Sequence, residues 1–213
     1  MENIIKKVSE IGIVPVIKLK DINDAVPLAE ALIAGNMPAA EVTFRAEGAD
    51  VVIAKMLEAY PDMMVGAGTV VNMEQAERAV KAGSKFVVSP GFDPEIVKYC
   101  LDQNVLPLPG CVTPSEIMQA LKLGLKVVKF FPAAQYGGLA TIKALSGPFA
   151  GLKFMPTGGI SLDNLGEFIA NKNIAACGGS FMVTDKLLDA KNWEEITRLA
   201  KEATDIVKKT REA

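Results

Sequence analysis

The chain has 213 residues, of which 50% are hydrophobic, and its 23 lysine and arginine residues nearly balance 25 aspartate and glutamate residues. This length permits one domain with a large core, and the balanced charge leaves no overall field to attract nucleic acid or an anionic membrane. There is no histidine, which excludes Ser-His-Asp and Cys-His nucleophile pairs and imidazole-based zinc sites. Acid–base chemistry must therefore use Glu, Asp, Lys, Tyr or water.

The two ends of the chain and its cysteines carry simple predictions. The opening run MENIIKKVSEIG predicts a short amphipathic N-terminal helix, and no segment approaches the ~18 uninterrupted apolar residues of a membrane span. We therefore expect a cytoplasmic protein without membrane partners. The basic run KKTR near the end is expected to complement the dipole of a C-terminal helix. Cys100, Cys111 and Cys177 are widely spaced and odd in number, which predicts buried thiols.

Eight short apolar runs, each followed by a helical pattern, predict alternating strands and helices. The runs begin near Ile13, Ala39, Met63, Lys85, Val105, Leu125, Leu152 and Ile174. Helix boundaries are marked by Asn72 and Gly83 around MEQAERAVKAG, and by Thr113 and Gly124 around PSEIMQALKLG.

Strands that are apolar on both faces and alternate with helices predict a parallel α/β sheet covered by helices. Its most economical form is a single (β/α)8 TIM barrel over residues 1–213 with an extra N-terminal helix. An open doubly wound sheet is the structural alternative. Such a sheet normally has a glycine-rich phosphate loop after its first strand, and IVPVIKLKD has none.

In a barrel, chemistry gathers at the carboxyl ends of the strands, and the second strand carries two opposite charges there. Alternation places Glu41, Thr43 and Arg45 on one face. One interpretation is an internal salt bridge or an edge strand. The other is a carboxylate for proton transfer and a guanidinium that binds a substrate carboxylate or phosphate.

Three further strand ends are rich in glycine. GAGTV ends the third strand and offers the hydroxyl of Thr69, although this motif also fits tight packing or a turn. PTGG (Pro156 to Gly159) and CGGS (Cys177 to Ser180) follow the seventh and eighth strands, and each begins a helical stretch. Exposed N–H groups beside a helix N-terminus predict a phosphate site there.

The sixth strand contains a lysine, Lys129, in the apolar run VVKFF. It is either paired with Glu41 to neutralise a buried charge, or held among apolar side chains as a nucleophilic amine. The residue pattern leaves both interpretations open. An amine nucleophile would attack a ketone or aldehyde to form an iminium, which needs neither metal nor imidazole. Together with the other groups, it would suit C–C bond cleavage or formation next to a 2-keto acid whose distal end is phosphorylated.

The motifs EVTFR, GAGTV, VSPG, KFFPA, MPTGGI and CGGS, in this order, resemble the bacterial 2-keto-3-deoxy-6-phosphogluconate (KDPG) aldolases. Members of that family often also cleave 4-hydroxy-2-oxoglutarate (KHG). The resemblance extends from about Ile13 to the final helix. It implies a metal-free, cofactor-free class I aldolase on a (β/α)8 barrel, acting on a small 2-keto acid phosphate and assembling as a homotrimer.

The resemblance also implies roles for individual residues. It makes Lys129 the Schiff-base lysine and Glu41 the general acid–base, working partly through water. Thr157 falls where the family uses threonine to favour the gluconate isomer over the galactonate isomer. The remaining substrate-binding positions are Arg45 and Thr69 for the pyruvyl carboxylate, Pro90 and Phe131 for the pocket wall, and Gly158, Gly159, Gly179 and Ser180 for the phosphate.

Two positions depart from the family pattern. Ala134 stands where many members have glutamate, and Ala46 stands where a threonine is common. Neither changes an assigned chemical group, so they bear on loop packing and substrate range. The alternatives are an aldolase for the 6-phosphogalactonate isomer, a phosphosugar isomerase or epimerase barrel, and, outside enzymes, a catalytically silent trimeric scaffold.

Overall fold

Eight parallel strands alternate with helices along residues 1–212, which are the residues that the computed structural model describes. The strands are β1 (Ile13–Ile17), β2 (Ala39–Thr43), β3 (Met64–Gly68), β4 (Phe86–Val88), β5 (Leu106–Leu108), β6 (Val127–Phe130), β7 (Lys153–Pro156) and β8 (Cys177–Gly179). The predicted order of eight strands with intervening helices is confirmed. The eighth strand begins later than Ile174, because a turn holds Ile174 N–H on the carbonyl of Asn171 at 2.9 Å.

Ten helices and two short 3₁₀ turns complete the described chain. The helices are α1 (Glu2–Ile11), α2 (Ala25–Ala34), α3 (Ala49–Ala59), α4 (Met73–Lys81), α5 (Pro94–Asp102), α6 (Pro114–Lys122), α7 (Gly138–Ser146), α8 (Leu162–Ile169), α9 (Asp185–Asp189) and α10 (Trp193–Glu212). The 3₁₀ turns are Ile22–Asp24 and Phe181–Val183. Within residues 1–212, no helix has both the length and the apolar character needed to cross a membrane.

The helix boundaries follow the capping residues that the sequence indicates. The side chain of Asn72 accepts a hydrogen bond of 2.9 Å from the backbone N–H three residues later. Thr113 and Glu116 form a capping box, in which each side chain accepts from the other residue's N–H. Gly83 and Gly124 have φ of 88° and 78°, so the left-handed conformation predicted after these helices is confirmed.

Neighbouring strands follow chain order, without the reversal that a doubly wound sheet requires. Strand order is β5-β4-β3-β2-β1-β8 in a six-stranded sheet, and β6 pairs with β7 in a separate two-stranded one. Isolated parallel bridges connect the β6-β7 pair to β8 and to the residues that follow β5. They join Gly110 to Lys129, Phe154 to Ile174, and Thr157 to Gly178.

Two apolar clusters organise the core. The larger one packs the strands against the surrounding helices. The smaller one contains the first residues of several strands, among them Met64, Phe86 and Leu106, and it also contains Val8 of α1. Helix α1 therefore covers the end at which the strands begin, and the opposite, carboxyl ends are left for polar residues.

Arg211 attaches the terminal helix to this covering helix. Lys209 and Arg211 lie in the last turn of α10, as the dipole argument predicts. Arg211 also donates hydrogen bonds to the carbonyls of Ser9 and Glu10 at the end of α1, and to that of Ala175 at 3.1 Å. Burial lowers the pKa of Arg211. The basic run thus anchors α1 to the segment before β8.

Candidate active site

A pocket of about 250 Å³ opens at the carboxyl ends of the strands. All eleven residues that the sequence singled out lie in its wall, although they are far apart in the chain. The full lining is Val16, Glu41, Arg45, Thr69, Pro90, Lys129, Phe131, Thr157, Gly158, Gly159, Ile160, Gly178, Gly179 and Ser180. The sequence did not single out Val16, Ile160 or Gly178. Only Gly178 carried a signal, since it belongs to the CGGS motif.

Lys129 and Glu41 face each other in this pocket. Nζ of Lys129 lies 3.4 Å from Oε1 of Glu41, and the two residues are 5% and 0% exposed. The other carboxylate oxygen of Glu41, Oε2, has no hydrogen-bond partner among the described residues. Buried polar groups are normally hydrogen-bonded, so this oxygen is available to a proton on a bound substrate.

The backbone of Lys129 is held on both sides. Its N–H donates to the carbonyl of Pro109 at 2.9 Å, and its own carbonyl accepts from the N–H of Cys111 at 2.9 Å. On its other edge it is paired with Met155 of β7. The amine lies 5.1 Å from the ring centroid of Phe131. The amine therefore extends from a fixed point in the sheet, as a nucleophile requires.

Glu41 depends on a glycine of the neighbouring strand. It lies at the centre of β2, between Val16 of β1 and Gly66 of β3. A Cβ atom placed on Gly68 would overlap Oε1 of Glu41. The GAGTV motif was interpreted as a place where a ligand approaches the backbone. In the structure, Gly68 makes room for the carboxylate of Glu41.

Arg45 reaches the pocket from a turn. Strand alternation placed it on β2, but that prediction is wrong, because β2 ends at Thr43 and the N–H of Ala46 turns back to the Thr43 carbonyl at 3.4 Å. The exposed Arg45 still lines the pocket, and its Nε donates to Oγ1 of Thr43 at 3.3 Å.

Thr69 adopts a backbone conformation that is unusual for a β-branched residue. Its φ is 56°, in the left-handed region. The flanking backbone is held by two hydrogen bonds, from Phe44 N–H to Gly68 carbonyl at 2.8 Å and from Val70 N–H to Val88 carbonyl at 3.1 Å. Such strain persists where surrounding contacts enforce it, and it concentrates at functional sites.

Gly158 and Gly159 form a loop that presents N–H groups to the pocket. Their φ angles are 96° and 80°, which favours glycine at both positions. Within residues 1–212, neither N–H donates to a protein acceptor. Helix α8 follows directly, with Ser161 and Asn164 forming its capping box. The arrangement can bind an anion, because unpaired N–H groups and a helix N-terminus point to one place.

The second glycine pair differs from its prediction. Gly179 is the last residue of β8, and Ser180 is followed by the short 3₁₀ turn Phe181–Val183 instead of an α-helix. This turn has no macrodipole of useful size, so any anion binding here rests on local N–H and hydroxyl groups.

Thr157 carries an unpaired hydroxyl. The residue is 6% exposed, and its Oγ1 has no hydrogen-bond partner in the described part of the chain. A Cβ atom on Gly178 would overlap this oxygen, so the glycine keeps the threonine side chain in place.

The loop after β6 contains Ala134, where the family pattern commonly has glutamate. Ala133 N–H donates to the Thr157 carbonyl at 2.8 Å, and Ala134 N–H donates to the Gly158 carbonyl at 3.1 Å. These bonds use only the backbone, so the loop is attached to the glycine loop regardless of the side chain at position 134. The side chain of Ala134 is exposed, whereas Ala46, the other departure, is half-buried.

The cysteines lie outside this chemistry. Cys100, Cys111 and Cys177 are buried free thiols, which confirms the prediction. Burial raises the pKa of Cys100 and Cys111 to about 12, and it also raises that of Cys177. In the described residues, no three side chains of His, Cys, Asp or Glu are grouped closely enough to hold a metal ion.

Comparison with known proteins places this geometry in a family. A family model of KDPG and KHG aldolases matches residues 4–199. The chain belongs to this aldolase family. A 2-dehydro-3-deoxy-phosphogluconate aldolase from Haemophilus influenzae is 47% identical over 207 residues, which cover 97% of this chain and 98% of the relative. The resemblance drawn from the motifs is confirmed, and so is the prediction of an enzyme of the carbon–carbon lyase class.

Two solved structures of family members have the same fold. One is a KDPG aldolase from Legionella pneumophila, with pyruvate captured at low pH as a covalent carbinolamine intermediate. Its TM-score is 0.89 at 38% identity, and the match covers 93% of this chain and 97% of that chain. The other is a KDPG aldolase of Zymomonas mobilis with 3-phosphoglycerate, with a TM-score of 0.87 at 39% identity and 94% coverage of both chains.

Proposed function

We propose that this protein is a Schiff-base aldolase that cleaves 2-keto-3-deoxy-6-phosphogluconate to pyruvate and glyceraldehyde 3-phosphate. The observation that carries the proposal is the buried Lys129 amine, 3.4 Å from the carboxylate of Glu41, in a pocket lined at its edges by Arg45 and the glycine loops. The pyruvate carbinolamine in the Legionella pneumophila relative supports the same chemistry here.

In the first half of the reaction, the neutral amine of Lys129 attacks the C2 ketone of the substrate. A proton moves from nitrogen to the former ketone oxygen, which gives a carbinolamine. Glu41, in its acid form, then protonates this hydroxyl, and water leaves as the C–N double bond forms. Glu41 is close enough to serve, because its carboxylate already contacts the attacking nitrogen.

In the second half, Glu41 is a carboxylate and accepts the proton of the C4 hydroxyl. The C4–O electrons form the aldehyde, the C3–C4 bond breaks, and its electron pair moves to the iminium to give an enamine. Glyceraldehyde 3-phosphate leaves. The enamine is protonated at C3, and water hydrolyses the resulting iminium to release pyruvate and restore Lys129. The unpaired Oε2 of Glu41 supports this shuttle, partly through water.

The two ends of the substrate are anionic, and the pocket offers different groups to each. Arg45 and the Thr69 hydroxyl are proposed to bind the carboxylate next to the reacting ketone. Pro90 and Phe131 form the pocket wall near the amine. The distal phosphate would lie against Gly158, Gly159, Gly179 and Ser180, where the unpaired N–H groups of the α8 loop favour an anion.

We further propose cleavage of 4-hydroxy-2-oxoglutarate to pyruvate and glyoxylate. The pair Lys129 and Glu41, together with Arg45, acts on the keto acid end, which both substrates share. The glycine loops would contribute only to the phosphorylated substrate. The ratio of kcat/KM on the two substrates measures how much the phosphate end contributes.

The same family resemblance supports proposals about architecture and assembly. We propose that the isolated bridges close the eight strands into a (β/α)8 barrel, and that residues 1–213 form a single domain. We also propose a homotrimer. Light scattering on the purified protein tests the trimer, and a mass equal to one chain would contradict it.

The decisive experiment is reduction with borohydride in the presence of pyruvate. The proposal expects a three-carbon adduct on the peptide that contains Lys129, together with pyruvate release from the phosphorylated substrate. An unmodified Lys129 peptide would refute the imine. If Lys129→Ala kept full activity on a phosphosugar, an isomerase or epimerase would be favoured instead.

A further inference from the structure

Thr43 lies behind the pocket and contacts neither the amine nor the glycine loops. It is the last residue of β2 and is 0% exposed. Its hydroxyl makes two hydrogen bonds. It donates to the carbonyl of Ile17 at the end of β1 at 2.7 Å, and it accepts from Nε of Arg45 at 3.3 Å.

The direction of both bonds follows from the chemistry of the partners. A carbonyl oxygen can only accept, so the single hydroxyl proton of Thr43 points to Ile17. A guanidinium can only donate, so Arg45 must be bound by a lone pair of the same oxygen. The first bond therefore orients the second, and each polarises the other.

Arg45 needs such an anchor. It lies in an exposed turn, and within residues 1–212 the contact with Thr43 is its only hydrogen bond to protein. The bond uses Nε, which leaves both terminal amino groups free. Those groups form the fork that matches a carboxylate, provided that the guanidinium plane is held in one orientation.

We propose that Thr43 is a positioning residue that orients Arg45 toward the carboxylate of the 2-keto acid substrate. The inference rests on the proposed function, since it takes Arg45 as the carboxylate ligand. Thr43 acts through Arg45 and does not touch the substrate. Loss of its hydroxyl therefore weakens substrate binding and leaves the chemistry at Lys129 intact.

The test compares Thr43→Val with Thr43→Ser, using steady-state kinetics on 2-keto-3-deoxy-6-phosphogluconate. Valine keeps the branched shape and removes the hydroxyl. A hydrogen bond to a charged group is lost, so KM is expected to rise about tenfold while kcat stays within about threefold. Serine keeps the hydroxyl, and its KM is expected within about threefold of wild type.

A double-mutant cycle separates positioning from a general structural role. In an Arg45→Ala background, Thr43→Val is expected to change KM by less than about twofold, because the group that it orients is absent. An equal rise in KM with and without Arg45 would overturn the inference, and so would an unchanged KM in the single variant. If the valine variant does not fold, Thr43→Ala against Thr43→Ser makes the same comparison.

The outcome for the proposed function is distinguishable. A wild-type protein that releases no pyruvate from the substrate refutes the proposed function and this inference together. An active wild type with an unaffected Thr43→Val variant refutes the inference alone.

Discussion

The amine of Lys129 lies 3.4 Å from a carboxylate oxygen of Glu41, and neither residue has more than 5% of its surface exposed. This pair satisfies both interpretations that the sequence left open, because it neutralises two buried charges and also joins a nucleophile to a proton acceptor. Stability and activity therefore have to be measured on the same variants.

The first prediction concerns the two charges separately. Lys129→Met leaves the Glu41 carboxylate buried without its cation, and the free energy of unfolding is expected to fall by about 3–5 kcal/mol. Adding Glu41→Gln removes the uncompensated charge and is expected to recover most of that loss. Activity should stay absent in both variants. Urea unfolding and pyruvate release measure the two effects.

The result that contradicts this view is recovery of activity together with stability. A double variant that is stable and cleaves the substrate would show that the pair is a structural salt bridge. A stable, inactive double variant that forms no borohydride adduct with pyruvate supports the nucleophile.

The second prediction concerns Gly68. A Cβ atom there overlaps Oε1 of Glu41, so Gly68→Ala is expected to displace the carboxylate and lower kcat about 100-fold or more, the scale of a misplaced catalytic group. The matched control is Gly91→Ala, because a Cβ atom on Gly91 meets no atom within 4 Å. Equal activity of the two variants would show that Glu41 does not need this space.

Much of the site could be predicted from local patterns, and the missing parts depend on contacts across strands. Lys129 was found because a charge interrupts an apolar run, and the glycine loops were found because they follow strands. The roles of Gly68 and Thr43 arise from the distance to Glu41 and to the Ile17 carbonyl, each on another strand. Strand periodicity gives the face of a residue but not the atoms opposite it.

Errors in the prediction came from the ends of elements. Arg45 was assigned to β2 by continuing the alternation, and the chain turns after Thr43 instead. The CGGS motif was expected to begin a helical stretch, and a 3₁₀ turn follows. In both places a single backbone hydrogen bond decides where the element ends, and such bonds have no sequence pattern of their own.

The third prediction separates strain from function at Thr69. Thr69→Gly removes the left-handed strain and the hydroxyl, whereas Thr69→Ala removes only the hydroxyl. The glycine variant is expected to be more stable than the alanine variant by about 1 kcal/mol. Both should bind the substrate more weakly than wild type. Thermal unfolding and KM measure these effects, and an alanine variant as stable as the glycine variant would show that the conformation carries no strain.

The fourth prediction is a pH dependence of stability. Arg78 donates hydrogen bonds to Asp50 and lowers the pKa of that carboxyl group. A lowered pKa stabilises the fold above the ordinary Asp pKa of about 3.9, and this contribution is lost as the pH falls through the folded-state value. Asp50→Asn should therefore unfold at a lower temperature than wild type at pH 7, and the two curves should converge below pH ~4.

The control for this pair is Glu74, a more exposed carboxylate 3.8 Å from the same guanidinium. Glu74→Gln is expected to change the melting temperature little at any pH, since exposed ion pairs contribute little. A difference between Asp50→Asn and wild type that stays constant down to pH 2 would contradict the assignment. Arg78 also lies 5.4 Å from the ring of Phe44, so this pair supports the turn that carries Arg45.

The last prediction concerns the unpaired hydroxyl of Thr157, whose proposed role is to favour the gluconate isomer. Thr157→Val keeps the side-chain shape and removes a buried group that has no protein partner. Removing such a group costs no hydrogen bond in the free protein, so stability is expected to be unchanged or higher. On the gluconate isomer, kcat/KM is expected to fall about tenfold, because the substrate hydroxyl loses its partner. The galactonate isomer should be affected less, and Thr157→Ser should keep the wild-type preference. An unchanged ratio of kcat/KM between the two isomers would show that the hydroxyl does not select the substrate.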